Sequence, residues 1–399
     1  MKKKLTVLLA ALLLLTACGG GGANNGNNGN NGNNGNNAGG DAAAGDTIKF
    51  GGIIPKTGDV AVYGTTTENG IKLAIDEINE NGGIDGKQVE YVSYDDKGDP
   101  TEAVNIYGKL MDDGVNAIIG AITSKPTLAV AGSAVADGIP MITPTGTQAD
   151  ITEGKPNVFR ACFTDPYQGV LLATYAKETL DAKTAAVLRN NSSDYSMGLA
   201  DQFVETAKEN GIEIVADEGY SDADNDFKAQ LTNISAENPD VLVIPDYYEK
   251  IALITVQARQ VGLTSTFLGG DGWDGVAKTL DESDYKDIEN SYFTNHFSLE
   301  DTDQKVKDFI ATYSDKYGED PSAFAALGYD AVYILKEAIE SAGSLDPEAV
   351  TDALKAVKVE GVTGSLTFDE NNNPIKAGTI IKIENGEYKF DSVVNPGAK

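Results

Sequence analysis

Short apolar runs alternate with amphipathic stretches of helical period along most of the chain, and this alternation restricts its fold more than any other feature. Residues 48–54 read as a buried strand. The next stretch sets Ile71, Ala74, Ile75 and Ile78 on one helical face and stops at Gly82-Gly83. After a strand over 89–94, Asp99-Pro100-Thr101-Glu102 combines a cap residue, a first-turn proline and a glutamate three past the cap, which marks a helix start. Residues 115–119, 139–142, 185–188, 212–215, 241–244 and 266–268 continue the strand series. Helices fall between them, among them 199–210 and 250–261. Repeated βα units build parallel sheets covered by helices on both faces. The strands are too many for one ordinary open sheet, so the sequence predicts an α/β protein of two doubly wound lobes. Ligands of such lobes bind beyond the carboxyl ends of the strands, which points both lobes at a shared cleft.

The amino terminus carries an address. Lys2, Lys3 and Lys4 precede an apolar run over 5–15, the pattern of a secretory signal and too short for a bilayer span of roughly 20 residues. Leu15-Thr16-Ala17-Cys18 resembles the bacterial lipobox, which implies cleavage after residue 17 and lipidation of Cys18. Residues 19–46 are nearly all Gly, Asn and Ala and bury nothing that could offset their ordering entropy, so 18–46 reads as a lipidated cysteine and a disordered tether. The expected location is the outer face of the cytoplasmic membrane, with the body held there by lipid through Cys18.

Acidic residues outnumber basic ones by 61 to 31, a net charge of −30 that opposes nucleic acid and anionic lipid as partners. Cys162, the only other cysteine, has no partner for an intramolecular disulfide, and His296 is the only histidine. One histidine leaves little room for a Ser-His pair or a histidine-rich metal site, and we expect no cofactor, metal or catalysis. Residues 270–275 fit G-x-G-x-x-G, but Asp271 and Asp274 inside the loop would repel a pyrophosphate. Asp222-Ala223-Asp224-Asn225-Asp226 imitates a calcium loop, yet Phe227 stands where that loop needs Gly and Asn233 where it ends on Glu. His296 itself reads as structural.

Several stretches, in order from residue 47 to the carboxyl terminus, resemble the bacterial branched-chain amino acid binding proteins, the extracytoplasmic receptors of ABC importers. They are Gly58-Asp59-Val60-Ala61-Val62-Tyr63-Gly64, Ile78-Asn79-Glu80-Asn81-Gly82-Gly83-Ile84, Tyr94-Asp95-Asp96 with Asp99-Pro100, and Gly138-Ile139-Pro140-Met141-Ile142-Thr143-Pro144. Phe159-Arg160 with Gln168-Gly169, and Gly364-Ser365-Leu366-Thr367-Phe368-Asp369, extend the set. The resemblance implies a type I periplasmic-binding-protein fold with three hinge crossings. Lobe 1 would comprise 47–164 plus 296–377, and lobe 2 165–295 plus 378–399. It also implies a monomer that captures an amino acid, branched-chain or other neutral type, and delivers it to an ABC permease. The same fold holding an amide, urea or small carboxylic acid, or serving as a sensor subunit for a membrane receptor, is the alternative.

Residue by residue, the resemblance assigns Ser124, Thr145 and Thr147 to the ligand α-carboxylate side. Ser124 follows a strand and precedes a helix expected to begin near Pro126, where free N–H groups suit an anion. Asp271 matches the acid that pairs with the α-ammonium. Tyr195 and Tyr247 line the second lobe's side and Tyr63 closes the first, with Trp273 a further aromatic candidate. Three departures stand out. Gly98 and Thr123 occupy positions where some relatives carry a disulfide. Asp246 replaces a small residue, and Thr145 is bulkier and more polar than its leucine-binding counterparts, which argues against a purely aliphatic ligand side chain.

Overall fold

In the computed structural model, which describes residues 47–395, the strands form two large sheets and one two-stranded sheet, with helices between them. The signal sequence, Cys18 and the tether read from the sequence lie outside the described residues. The first sheet collects β1 (Thr47–Ile54), β2 (Gln88–Asp95), β3 (Ala117–Gly120), β4 (Met141–Thr143) and β5 (Val158–Arg160) in the order β2-β1-β3-β4-β5, all parallel. Between them run α1 (Ala61–Glu80), α2 (Pro100–Asp112) and α3 (Ser124–Asp137). Asp99 caps α2 as its sequence requires, its Oδ1 accepting from the amides of Thr101 and Glu102 at 2.8 and 2.9 Å. Ile71, Ala74, Ile75 and Ile78 of α1 are all buried, each isoleucine stabilising the fold by about 2 kcal/mol.

The chain then passes to a second sheet through α4 (Asp165–Glu178). Here β6 (Thr184–Asn190), α5 (Asp194–Glu209), β7 (Glu213–Tyr220), α6 (Lys228–Glu237), β8 (Val241–Val243), α7 (Tyr248–Gln260), β9 (Thr266–Gly269) and β10 (Ser291–Asn295) follow one another. Strands β7-β6-β8-β9-β10 lie parallel. After β10 the chain leaves for α8 (Gln304–Tyr317), α9 (Ala323–Ala342) and α10 (Pro347–Ala356), with α9 packed against α1 of the first layer. A short hairpin, β11 (Val359–Gly361) with β12 (Gly364–Leu366), precedes the return to the second sheet. There β13 (Gly378–Glu384) pairs antiparallel with β10 and with β14 (Glu387–Val394).

Strand order reverses between β1 and β3 in one sheet and between β6 and β8 in the other, and the loops after these strands face each other. Strands β5 and β10 and the β11–β12 hairpin are additions to the sequence reading. Three-residue strands carry too little pattern, and in β10 buried Ser291, Thr294 and Asn295 interrupt the apolar run. Helix α3 begins at Ser124, two residues before the expected Pro126, and β7 runs on to Tyr220. Among the described residues no helix is long and apolar enough to cross a membrane.

Candidate functional site: a cleft between two sheets

The segments that follow seven strands, β1, β3, β4, β5, β6, β8 and β9, build the cleft. On the first sheet's side, Thr123 has extended backbone angles and α3 starts at Ser124 with no side chain capping it, so its first amides point into the cleft. The Ser124 hydroxyl accepts from the amides of Thr147 and Gln148 at 3.3 and 3.4 Å and lies 3.3 Å from Thr147 Oγ1. Buried Arg160 holds this loop in place, donating to the carbonyls of Gly146, Gln148 and Ala149. Thr145 donates its hydroxyl to the Ile122 carbonyl at 2.6 Å. The added polarity is therefore engaged within the lobe, which removes the objection to an aliphatic ligand.

On the other side, Asp271 opens a single helical turn after β9. Its Oδ1 accepts from Gln168 Nε2 at 3.0 Å and from the Tyr195 phenol at 3.1 Å. No side chain fits at Gly270, where a Cβ would stand 2.6 Å from the Tyr195 oxygen, or at Gly272, where it would stand 2.4 Å from the Asp246 carbonyl. These glycines admit close packing around Asp271. Tyr195, in the first turn of α5, stacks on Tyr247 with ring centroids 5.0 Å apart. Tyr63, in the first turn of α1, crosses the cleft: its phenol donates to the Gly272 carbonyl and accepts from the Tyr248 amide at 3.2 Å. Its ring stacks on Phe324 at 4.2 Å.

Six of the seven expected residues are thus buried together, and Tyr247 is partly buried at the edge. A cavity of about 470 Å³ is lined by Ser124, Tyr195, Tyr247, Lys97, Lys125 and Lys250, while Asp271, Thr145 and Thr147 are buried and do not line it. Trp273 does not line it. That indole is fully buried against Phe267 and donates to the Ile244 carbonyl at 2.8 Å, so it supports the loop from beneath. Asp246, which the sequence left as a candidate for altered specificity, has its carboxylate taken by the Tyr220 phenol, Asn190 Nδ2 and the Tyr247 amide.

Two residues missed by the sequence reading complete the site. Asp165, in the first turn of α4, has its amide on the Thr147 carbonyl at 2.9 Å, and its Oδ2 is buried without a partner. Gln168, one turn on, reaches Asp165 and Asp271 together. Their i, i+3 spacing on an otherwise apolar helix face was the available signal. Burial, and after it repulsion from Asp271, raises the Asp165 carboxyl well above its usual range, with the Thr147 hydroxyl and Arg160 opposing. Burial likewise lifts Asp271 to about 6 despite the bonds from Gln168 and Tyr195. The cleft therefore gathers the α3 amides and the Ser124 and Thr147 hydroxyls, suited to a carboxylate, with two buried acids suited to a cation, Asp165 beside Thr147 and Asp271 in the loop after β9.

A family model for periplasmic binding proteins matches residues 47–387. The leucine-, isoleucine-, valine-, threonine-, and alanine-binding protein of Pseudomonas aeruginosa is 34% identical over 332 residues, 83% of this chain and 88% of that one. The chain belongs to the periplasmic binding proteins. Two solved relatives share the type I fold of this binding protein. The branched-chain amino acid transporter substrate binding protein LivJ of Streptococcus pneumoniae, in complex with isoleucine, is 37% identical with a TM-score of 0.82, covering 88% of this chain and 100% of that one. The leucine binding protein LivK of Thermotoga maritima is 36% identical, also at 0.82, covering 88% and 99%. Members of this family bind substrates for transport.

Proposed function

We propose that this binding protein captures a neutral, aliphatic amino acid between its lobes and delivers it to an ABC permease. The observation that carries the reading is the pair of buried carboxylates, Asp165 and Asp271, with Asp165 bonded beside Thr147, whose hydroxyl lies 3.3 Å from Ser124 at the uncapped start of α3. A zwitterion satisfies both halves. Thr145 and Asp246 support an aliphatic side chain, since their polar atoms are already bonded to protein. Tyr63, Tyr195 and Tyr247 wall the site. The lobes divide at the segments between β5 and α4, after β10 and before β13, and rotation about these crossings closes the cleft.

Calorimetry on protein lacking residues 1–46 tests this. Isoleucine, leucine, valine or alanine should bind, and the deaminated acid of the best ligand should bind at least tenfold more weakly. Equal affinity for the two would sink the ammonium role of Asp271 and favour a small carboxylic acid as ligand.

The export signal and lipobox support a protein tethered by lipid at Cys18 to the outer face of the cytoplasmic membrane. Cys18→Ser should release the protein into the medium or periplasm. A variant still membrane-bound after a carbonate wash would refute the anchor.

A further inference from the structure

His296 directly follows β10, where the chain leaves the second sheet, and its ring is buried. The imidazole stacks on Phe163, which lies in the crossing between β5 and α4, with centroids 3.6 Å apart and 25° between planes. Lys376, from the third crossing, lines the same hinge groove of about 1100 Å³. The side chain thus sits where the three connections between the lobes converge. Neither of its ring nitrogens has a hydrogen-bond partner, yet Nε2 stands only 3.6 Å from Asp271 Oδ2. That gap is just beyond bonding distance, and a small rotation of either side chain closes it. Gln168 and Tyr195 both donate to Oδ1, so Oδ2 is the oxygen that faces the histidine.

We propose that His296 is a positioning residue for Asp271, donating its Nε2–H to Oδ2 when ligand is bound, so that the hinge histidine and the ligand ammonium share one carboxylate oxygen. This rests on the reading that Asp271 receives the ammonium. Protonation state matters here. Burial, and after it the charge of Lys376, holds the imidazole well below its usual pKa, so it stays neutral. A neutral ring orients the carboxylate without cancelling its charge, whereas an imidazolium would compete with the ligand. The other titratable groups acting on Asp271 are Asp274 beyond it, Asp165 from α4, Cys162 and Lys376 from the crossings, and the phenols of Tyr63, Tyr195 and Tyr247.

Because His296 is the only histidine, its ring nitrogens give unambiguous NMR signals in the isoleucine complex. The neutral Nε2–H tautomer should persist from pH 5.5 to 8. A titrating ring, or the Nδ1–H tautomer, would overturn the proposal without any variant. His296→Phe keeps the stack and removes the donor, and His296→Gln keeps an N–H. Losing a hydrogen bond to a charged group should weaken isoleucine binding by about tenfold to a hundredfold in His296→Phe. It should also shift the acid limb of the affinity profile to higher pH, with His296→Gln recovering most of both effects. An unmoved profile in His296→Phe, while wild type binds isoleucine, defeats this proposal alone. Wild type that binds no amino acid defeats the reading of Asp271 with it.

Discussion

Gln168 and Asp271 hold each other by two hydrogen bonds: Gln168 Nε2 donates to Asp271 Oδ1 at 3.0 Å, and the Asp271 amide donates back to Gln168 Oε1 at 2.8 Å. Thr294 of β10 donates to the same Oε1 at 2.7 Å, so one amide side chain joins α4, the loop after β9 and the strand beside the hinge. The acid is thereby fixed in place before any ligand arrives, and binding need not order it.

Gln168→Glu is the sharpest test of that arrangement. It replaces the donor to Asp271 with a third carboxylate in a buried pocket and opposes the acids already there. We expect amino acid affinity to fall at least a hundredfold and the melting temperature to drop. Gln168→Ala should fall between this variant and wild type. Near wild-type affinity in Gln168→Glu would mean that Asp271 does not depend on this clamp.

Two neighbouring acids raised by burial make binding proton-linked. With Asp271 near 6 and Asp165 raised beside it, the unliganded site holds protons that a ligand ammonium displaces. Calorimetry between pH 6 and 7 in buffers of different ionisation enthalpy should show net proton release on binding. Affinity should fall by up to about tenfold per pH unit below 6. The stability of the unliganded protein should show the opposite trend. A carboxyl whose folded pKa is raised contributes stability that is full below its unfolded value of about 4 and is lost as pH rises through about 6. For Asp271 this is on the order of 3 kcal/mol. Binding enthalpies independent of buffer would contradict the paired-acid description.

Most of the βα frame was legible in the sequence because each unit carries its own apolar period and punctuation, as Asp99-Pro100 at the start of α2 shows. The two-lobe interleaving was not, since nothing local tells α9 to pack on α1. In the site, Thr145 and Asp246 looked like polar intrusions because the groups that bond them, the Ile122 carbonyl and the Tyr220 phenol, are distant in sequence. Asp165 went unread because an acid in the first turn of a helix is ordinary and carries no mark of a site. Thr164 caps α4, bonding the Tyr167 amide at 3.3 Å.

Tyr63→Phe separates closure from recognition. It removes the phenol that links α1 to the Gly272 carbonyl and the Tyr248 amide across the cleft, while the ring can still stack on Phe324. Two hydrogen bonds of about 0.5–1.5 kcal/mol each correspond to roughly 5- to 150-fold in affinity. The loss should reside in the dissociation rate, since the bonds form as the lobes meet. Stopped-flow traces with an unchanged dissociation rate would show that the phenol is not a latch.

The two acids should reveal their coupling in a double-mutant cycle. Asp271→Asn keeps an oxygen for Gln168 and Tyr195 and removes only the charge, and Asp165→Asn does the same one helix away. Removing one partner of a desolvated charge pair typically costs about 3–5 kcal/mol. Here, however, the surviving carboxyl escapes its neighbour's repulsion, ionises more readily and still faces the ammonium. Each single variant should therefore sit near the low end, about a hundredfold in affinity. The double variant leaves the ammonium with no counter-charge and should cost more than the two singles together, a coupling measurable by calorimetry at pH 7. Strict additivity would indicate that the acids act independently, and a double variant no worse than Asp271→Asn would remove Asp165 from the site.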